Sequence, residues 1–515
     1  MVIIMKYKCT RDSSTQVTGS TAIVNGLSNS GGLYVPEYFP SLSLDKIEEI
    51  SKESYSRRAS YIMSLFLTDF SLNELTDYTG AAYNTERENG FRNDKIAPLY
   101  KMDDSTYFLE LWHGPTCAFK DMALQIMPRL LTASIKKTEE KRKVCILVAT
   151  SGDTGKAALD GFCDIKNTKI MVFYPQNGVS QIQKLQMTSQ KGNNVNVTAV
   201  EGNFDDAQAG VKVIFSDKAL TGELDKKGFF LSSANSINWG RLVPQIVYYV
   251  SAYCDLLSGG MIKSGEKVNF CVPTGNFGNI LAGYYAERMG LPVNKLICAS
   301  NRNDVLTQFI NTGVYDKNRP FYTTVSPSMD ILVSSNLERL LYELSDKDGS
   351  AVSAYMKSLS EKGFYKITDT VSRELKRIFS SGYCSEEDTM KTIKNTFEKD
   401  GYLIDTHTAV AYKVLNDYRK ASNDGTVSVV ISTASPFKFC GAVLEALGQS
   451  TKSDKTVYGC DILKDETDLT ERLSRATGCD IPAPLAALKN EVPRFSEVVR
   501  PDNMKESVLR FLREG

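Results

Sequence analysis

Histidine and tryptophan are scarce in this chain: among 515 residues there are two of each. With imidazole confined to His113 and His407, a metal centre built from histidine is not expected, and no metal ligands are assigned. The eleven cysteines are scattered singly, without a Cys-x-x-Cys pair. Cys145, Cys271 and Cys298 fall inside apolar, strand-like runs, which fits reduced, buried thiols of a cytoplasmic protein better than a disulfide framework. Excess charge is lacking too, since 61 basic and 61 acidic residues balance. That balance gives no general attraction to nucleic acid or an anionic membrane, and leaves any phosphate recognition to a local site. No apolar run approaches membrane-spanning length, and Met1-Val-Ile-Ile-Met5 is too short for a signal-peptide core. Internal repeats and low-complexity tracts are absent as well.

Two nucleotide-binding patterns fail on spacing. The segment Thr150-Ser-Gly-Asp-Thr-Gly-Lys156-Ala157 has neither the glycine at 150 nor the hydroxyl residue at 157 that a P-loop needs. The dinucleotide pattern of three spaced glycines is missing from the strand-to-helix turns.

What is present is alternation. From about residue 143, β-branched runs at 143–150, 169–174, 195–200, 268–272, 295–300 and 427–432 alternate with helical patterns, among them 154–162, 205–215 and 280–289. Such repetition predicts an α/β fold of parallel sheets flanked by helices, with the active site at the carboxyl ends of strands. The length suggests two or three domains. Residues 1–95 lack the alternation and read as a separate helical domain, with amphipathic helices between Leu44 and Asp77. Residues 96–460 read as the main region, with a smaller subdomain at about 125–260, and 461–515 as a C-terminal helical segment. The polar stretch 345–400 reads as a helical, solvated insertion.

Four segments carry chemistry. In His113-Gly-Pro-Thr-Cys-Ala-Phe-Lys120-Asp121 the lysine is walled in by Ala118, Phe119, Met122 and Ala123. A desolvated amine has a lowered pKa and can attack a carbonyl carbon, whereas a helix-start lysine can also snorkel to solvent. Pro273-Thr-Gly-Asn-Phe-Gly-Asn279 joins a strand to a helix, where successive amides complement an anion. Ser151-Gly-Asp-Thr-Gly155 also follows a strand and opens a helix, so its polar side chains either receive an anion or merely cap the helix. Ser432-Thr-Ala-Ser-Pro-Phe-Lys-Phe439 closes a further strand, and its hydroxyls either cap or bind.

Together these segments resemble the threonine synthases, a family of pyridoxal-phosphate enzymes with the tryptophan-synthase-β-like fold (fold type II) and, in the longer members, a helical N-terminal domain. The similarity extends through Gly202-Asn-Phe-Asp-Asp-Ala-Gln208, Ser233-Ala-Asn-Ser-Ile-Asn-Trp-Gly-Arg241, Ser326-Pro-Ser-Met-Asp330, Ser334-Ser-Asn-Leu-Glu338 and Asp405-Thr-His-Thr-Ala-Val410. It runs from about Lys6 to Leu447, and Met5-Lys6-Tyr7 resembles the usual start of the family, so the first four residues read as an extension. The chain departs from many relatives at Ser435, where they carry His, and at Thr406, where they carry Pro.

The resemblance implies pyridoxal 5'-phosphate held by a Schiff base on Lys120, with its phosphate on Gly275, Asn276, Phe277, Gly278 and Asn279. It implies Thr433 against the ring nitrogen and Asp153 beside the ring oxygen. A neutral hydroxyl at the nitrogen makes the ring a weaker electron sink. Ser151 and Thr154 are implied as binders of the substrate's α-carboxylate, and Lys120 as the catalytic base. Arg241 is the candidate for the substrate phosphate, with a structural ion pair as its alternative. Lys156, Lys184 and Lys438 are weaker candidates for that phosphate, each read more readily as a surface charge. His113 and Trp112 either pack beside the cofactor or take part in catalysis.

The implied activity is conversion of O-phospho-L-homoserine and water to L-threonine and phosphate, a carbon–oxygen lyase reaction ending threonine biosynthesis. A serine/threonine dehydratase or phospholyase of the same fold is the alternative. A small-molecule substrate, no nucleic acid, no membrane, and a monomer or homodimer complete the expectation.

Overall fold

The computed structural model describes residues 4–87, 90–449, 451 and 462–513. The segment Met1–Ile3 and the boundary expected between residues 460 and 461 lie outside the described residues.

Two parallel sheets organise the chain. The larger has six strands in the order Phe379–Tyr383, Val293–Ser300, Val268–Pro273, Ser428–Ser432, Thr106–Glu110 and Leu99–Lys101; only the last pair is antiparallel. The smaller has five, in the order Val498–Val499, Val195–Val200, Thr168–Pro175, Lys143–Ala149 and Phe229–Ser233, all parallel. Runs such as Val144–Ala149 and Val268–Pro273 are buried along their whole length because helices cover both faces, which is why these strands are continuously apolar.

Three elements depart from the sequence expectation. The N-terminal region does contain helices, at Gly19–Asn25, Leu44–Ile50, Tyr55–Phe66 and Leu72–Ala82, but it opens with a small antiparallel sheet of Asp12–Val17, Tyr7–Cys9 and Tyr34–Pro36. It also shares an apolar core with the rest of the chain: Trp239 lies 5.1 Å from the Tyr7 ring and 5.7 Å from that of Phe66. The polar stretch 345–400 is helical at Gly349–Glu361, Asp369–Ile378 and Glu386–Asp400, yet it also supplies the edge strand Phe379–Tyr383 of the large sheet. It is therefore part of the framework and not only a solvated insertion. Near the C-terminus, Val498–Val499 pairs with Ala199 and Val200 and extends the small sheet.

One cleft is built where strand ends of both sheets converge. Asp153 and Thr154 follow the strand Lys143–Ala149, and Asn235 and Ser236 follow Phe229–Ser233. Gly275–Asn279 follow Val268–Pro273, and Thr433 follows Ser428–Ser432. Placement at the carboxyl ends is what parallel α/β topology dictates.

Candidate active site

Lys120 enters this cleft from a tightly stitched turn. The carboxylate of Asp121 accepts from the Thr116 amide at 2.8 Å and its hydroxyl at 2.7 Å, closing the loop ahead of the lysine. The Phe119 amide donates to the carbonyl of Thr433 at 2.8 Å, and Ala118 bridges to Ala434, so the lysine segment is fastened to the strand end that bears Thr433. The amine is 8% exposed and donates to Asp153 Oδ2 at 3.0 Å and to Ser328 Oγ at 3.1 Å. Burial pushes the amine below the ordinary lysine range, against the pull of Asp153, with Lys438 and Arg241 adding to the depression. A lowered amine pKa favours both nucleophilic attack and base catalysis.

Asp153 is itself held from several sides. Its Oδ1 accepts from Lys438 at 2.8 Å and from Gln183 Nε2 at 2.7 Å. Gln183 is fixed in turn by the capping box it forms with Ser180 at the start of the helix Gln181–Thr188. Burial would raise the Asp153 carboxyl, but Lys120 and Lys438 hold it well below the usual carboxylate range. Lys438, read from sequence as a surface charge, is instead fully buried and donates also to the Thr116 carbonyl at 2.9 Å. Its position in the turn Pro436–Phe439, beneath the strand end, is what removes it from solvent. Lys156 and Lys184 are half-buried, and Lys156 donates to Gln190 at 2.5 Å.

The glycine-rich turn forms an anion cradle. Among the described residues, none of the successive amides from Gly275 to Ile280 has a protein acceptor, and the next, of Leu281, closes the helix on the Phe277 carbonyl. Phe277 sits in the left-handed region at φ 60°, curling the amides around one centre, while its buried ring packs 5.7 Å from Phe379. The helix Gly278–Met289 adds the positive end of its dipole. Asn279 is buried; its Oδ1 accepts from Tyr248 and Tyr249 at 2.7 and 2.8 Å, and its Nδ2 has no partner among the described residues. At Gly275 a Cβ would stand 2.4 Å from the Ser328 carbonyl, so only glycine lets the two loops touch. Ser334 and Asn336 fasten the cradle through the carbonyls of Gly275 and Asn276 at 2.8 and 2.9 Å.

The second loop resolves its own ambiguity. The helix Asp153–Phe162 has Gly152 at its N-cap with φ 133° and no side-chain cap from Ser151, Asp153 or Thr154. The Thr150 hydroxyl serves instead, accepting from the amides of Gly152 and Gly155 at 2.9 Å each. The amides of Asp153 and Thr154 have no protein acceptors among the described residues, and Thr154 lines the cleft. Ser151 is half-buried and does not line it.

Arg241, near the start of the helix Trp239–Ser258, is 3% exposed and lines the cleft. The structural ion pair is not found: one guanidinium nitrogen meets the Ala234 carbonyl, Nε has no partner, and no carboxylate lies within ion-pair distance among the described residues. Burial lowers its pKa to about 10, so the group is still charged at neutral pH. A buried cation without an anion is costly unless a ligand supplies one. Thr433 borders the same cleft with its side chain mostly buried.

The sequence reading missed Ser328 and His407. Both line the cleft, and the Ser328 amide donates to His407 Nε2 at 3.2 Å. An amide can only donate, so the imidazole proton sits on Nδ1, which faces Asp405 Oδ1 at 2.9 Å. Their segments had been noticed only as family matches. His113 and Trp112 do not line the cleft: His113 pairs with Glu110 at 2.7 Å and Trp112 donates to Ser432 at 3.0 Å.

The chain matches family models over most of its length: "Threonine synthase N terminus" at residues 6–83, "Pyridoxal-phosphate dependent enzyme" at 94–433, and "Threonine synthase, C-terminal" at 408–502. It is 43% identical over 439 residues to human threonine synthase-like 1, covering 83% of this chain but 58% of that protein. The threonine synthase of Pseudomonas aeruginosa is 40% identical over 447 residues, covering 87% of this chain and 91% of that one. The threonine synthase of Brucella melitensis, solved with pyridoxal phosphate bound, superposes with a TM-score of 0.84 at 36% identity, covering 99% of this chain and 100% of that one. No helix among the described residues is long and apolar enough to cross a membrane. The chain belongs to the pyridoxal-phosphate-dependent enzymes and, within them, to the threonine synthases.

Proposed function

We propose that this chain converts O-phospho-L-homoserine and water to L-threonine and phosphate, with pyridoxal 5'-phosphate held at Lys120. The observation that carries the proposal is the coincidence in one cleft of a buried amine, an amide cradle without protein acceptors, and a buried guanidinium without a carboxylate.

The residues present fit the cofactor. Gly275–Asn279 would hold its phosphate through main-chain amides and the unpartnered Asn279 Nδ2, Lys120 would bind its aldehyde, and Thr433 would meet its ring nitrogen. Asp153, next to Lys120 and kept anionic by Lys120 and Lys438, would meet its ring oxygen. When bound, the cofactor supplies an electron sink that acidifies the α-hydrogen and, through conjugation, the β-hydrogen of an amino-acid substrate.

The remaining work falls to side chains. The amides of Asp153 and Thr154, with the hydroxyl of Thr154, bind the substrate α-carboxylate. Arg241 binds the γ-phosphate and stabilises it as a leaving group, with Asn235 and Ser236 beside it in the wall. The neutral Lys120 amine takes the α- and β-protons in turn and returns protons to Cγ and Cα, while water adds at Cβ. One amine can do this more readily because burial lowers its pKa from the ordinary lysine range. The described cysteines are all unpaired, which supports a reducing compartment such as the cytoplasm.

Two measurements test the proposal. Borohydride reduction after loading with pyridoxal phosphate is expected to leave the pyridoxyl mass on the peptide containing Lys120, and Lys120→Ala to abolish it. With O-phosphohomoserine, phosphate and threonine are expected in equal amounts; a keto acid and ammonia in place of threonine would instead identify a dehydratase or phospholyase.

A further inference from the structure

Lys438 contributes no atom to the lining of the cleft and yet is the most deeply buried lysine near it. Its amine sits between the Asp153 carboxylate at 2.8 Å and the Thr116 carbonyl at 2.9 Å, fully withdrawn from solvent. Asp153 thus stands between two ammonium groups, Oδ2 toward Lys120 and Oδ1 toward Lys438. Buried charges tend to occur as neutral sets, because an unbalanced ion in a dry interior is costly. This set carries one positive charge too many while both lysines are protonated. It becomes neutral when Lys120 alone gives up its proton.

We propose that Lys438 is a positioning residue for the proposed catalysis: it is the standing counter-ion of Asp153, which allows the Lys120 amine to lose its charge without stranding a lone buried carboxylate. This rests on the assignment of Lys120 as the reacting amine. Without Lys438, Asp153 would have Lys120 as its sole cation, and the pair would hold the lysine in its inert, protonated form. With Lys438 present, repulsion between the two ammonium groups and the shared anion both favour release of the Lys120 proton. The lysine that yields is the one bordering the cleft, 8% exposed against none for Lys438. Gln183, donating to Asp153 Oδ1 at 2.7 Å, keeps that oxygen turned toward Lys438. Among the described residues, the other charged or titratable groups lining the cleft beside Lys120 are Arg241 on the helix Trp239–Ser258 and His407 on the helix Thr406–Ser422, and neither is bonded to Asp153; on the far side, the Asp121 carboxyl and the Cys117 thiol also feel the charge of Lys438.

The test follows the pH midpoint for modification of Lys120 in the full-length, cofactor-free chain. Trace labelling with acetic anhydride at a series of pH values, read on the Lys120 peptide by mass spectrometry, reports the neutral amine directly. Lys438→Met is expected to raise the midpoint by about one pH unit, a tenfold drop in labelling on the acid limb. Asp153→Asn, which removes the shared anion and preserves the shape, is expected to lower it by a similar amount. A Lys438→Met midpoint equal to or below wild type overturns the proposal, and so does an Asp153→Asn midpoint that fails to fall. A wild-type midpoint near that of free lysine would overturn the assignment of Lys120 itself, and is therefore distinct from both.

Discussion

The Ser328 amide donates to His407 Nε2 at 3.2 Å while the Ser328 hydroxyl stands 3.1 Å from the Lys120 amine. The imidazole thereby anchors, through one main-chain bond, the loop that carries the second hydrogen-bond partner of Lys120. Asp405 holds the other ring nitrogen and caps the helix Thr406–Ser422, so His407 has little freedom to turn. His407→Ala is expected to lower kcat about tenfold, the equivalent of one positioned hydrogen bond. His407→Gln retains an acceptor for the Ser328 amide and is expected to recover most of that loss. Steady-state kinetics decide it, and equal losses in the two variants would remove His407 from this role.

The cradle makes a sharper demand. A Cβ at position 275 would lie 2.4 Å from the Ser328 carbonyl, which is main chain and cannot swing aside. Gly275→Ala must therefore part the cradle from the loop at 326–330. A shift of this kind disturbs several phosphate-directed amides together, so cofactor affinity is expected to fall about 10- to 100-fold, on the order of 1.4–3 kcal/mol. Titration of the cofactor-free protein by fluorescence would show it. Unchanged affinity would mean that the cradle does not bear the cofactor phosphate.

These contacts also mark where sequence stops being informative. Lys120 and the turn Gly275–Asn279 were legible because each is a contiguous run whose residue types state their chemistry: an amine among apolar neighbours, glycines at a strand end. The strands were legible as unbroken apolar runs, since both faces are covered. Lys438, Ser328 and His407 were not, because their meaning lies in contacts with Asp153 and Lys120 across the chain, and a lysine beside two phenylalanines is as compatible with a surface as with a core. The loop Ser151–Gly155 misled in a smaller way: capping was a fair alternative, but the hydroxyl that caps belongs to Thr150, one residue before the noticed segment. Short strands such as Tyr7–Cys9 and Phe379–Tyr383 left too few residues for a pattern, and their sheets are set by tertiary pairing.

Asp121 gives a pH signature of folding. Burial raises its carboxyl to about 7, although the hydroxyl and amide of Thr116 oppose the rise. In the unfolded chain the same group ionises near pH 4. Between those values the folded protein keeps a proton that the unfolded chain releases, so stability is greatest at the acid side of this window and is lost as pH climbs toward and past 7. The contribution is on the order of 4 kcal/mol across the window. Asp121→Asn cannot ionise but gives up one acceptor to Thr116, at about 1 kcal/mol. Urea unfolding should find the variant less stable than wild type below about pH 4, with the gap closed near pH 5 and reversed by pH 8. A gap that stays constant with pH would mean that Asp121 is ionised throughout.

Arg241 lines the cleft apart from the glycine-rich cradle and is the candidate for a second phosphate. Its guanidinium is buried with Nε unpartnered and no carboxylate in ion-pair range among the described residues, so the empty protein carries an unbalanced charge there. Arg241→Met removes that charge and fills similar space; its thermal stability without ligands should equal or exceed wild type, since an unpaired buried ion is a liability. Inorganic phosphate should raise the melting temperature of the cofactor-loaded wild type and have much less effect on the variant. If Arg241 serves the substrate phosphate, KM for O-phosphohomoserine should rise roughly 30-fold or more, as expected for loss of charge-assisted bonds of about 2–3 kcal/mol. Cofactor affinity should meanwhile stay within about twofold, because the cradle at Gly275–Ile280 supplies its own donors. The opposite pattern, weak cofactor binding with an unchanged KM, would reassign Arg241 from the leaving group to the cofactor.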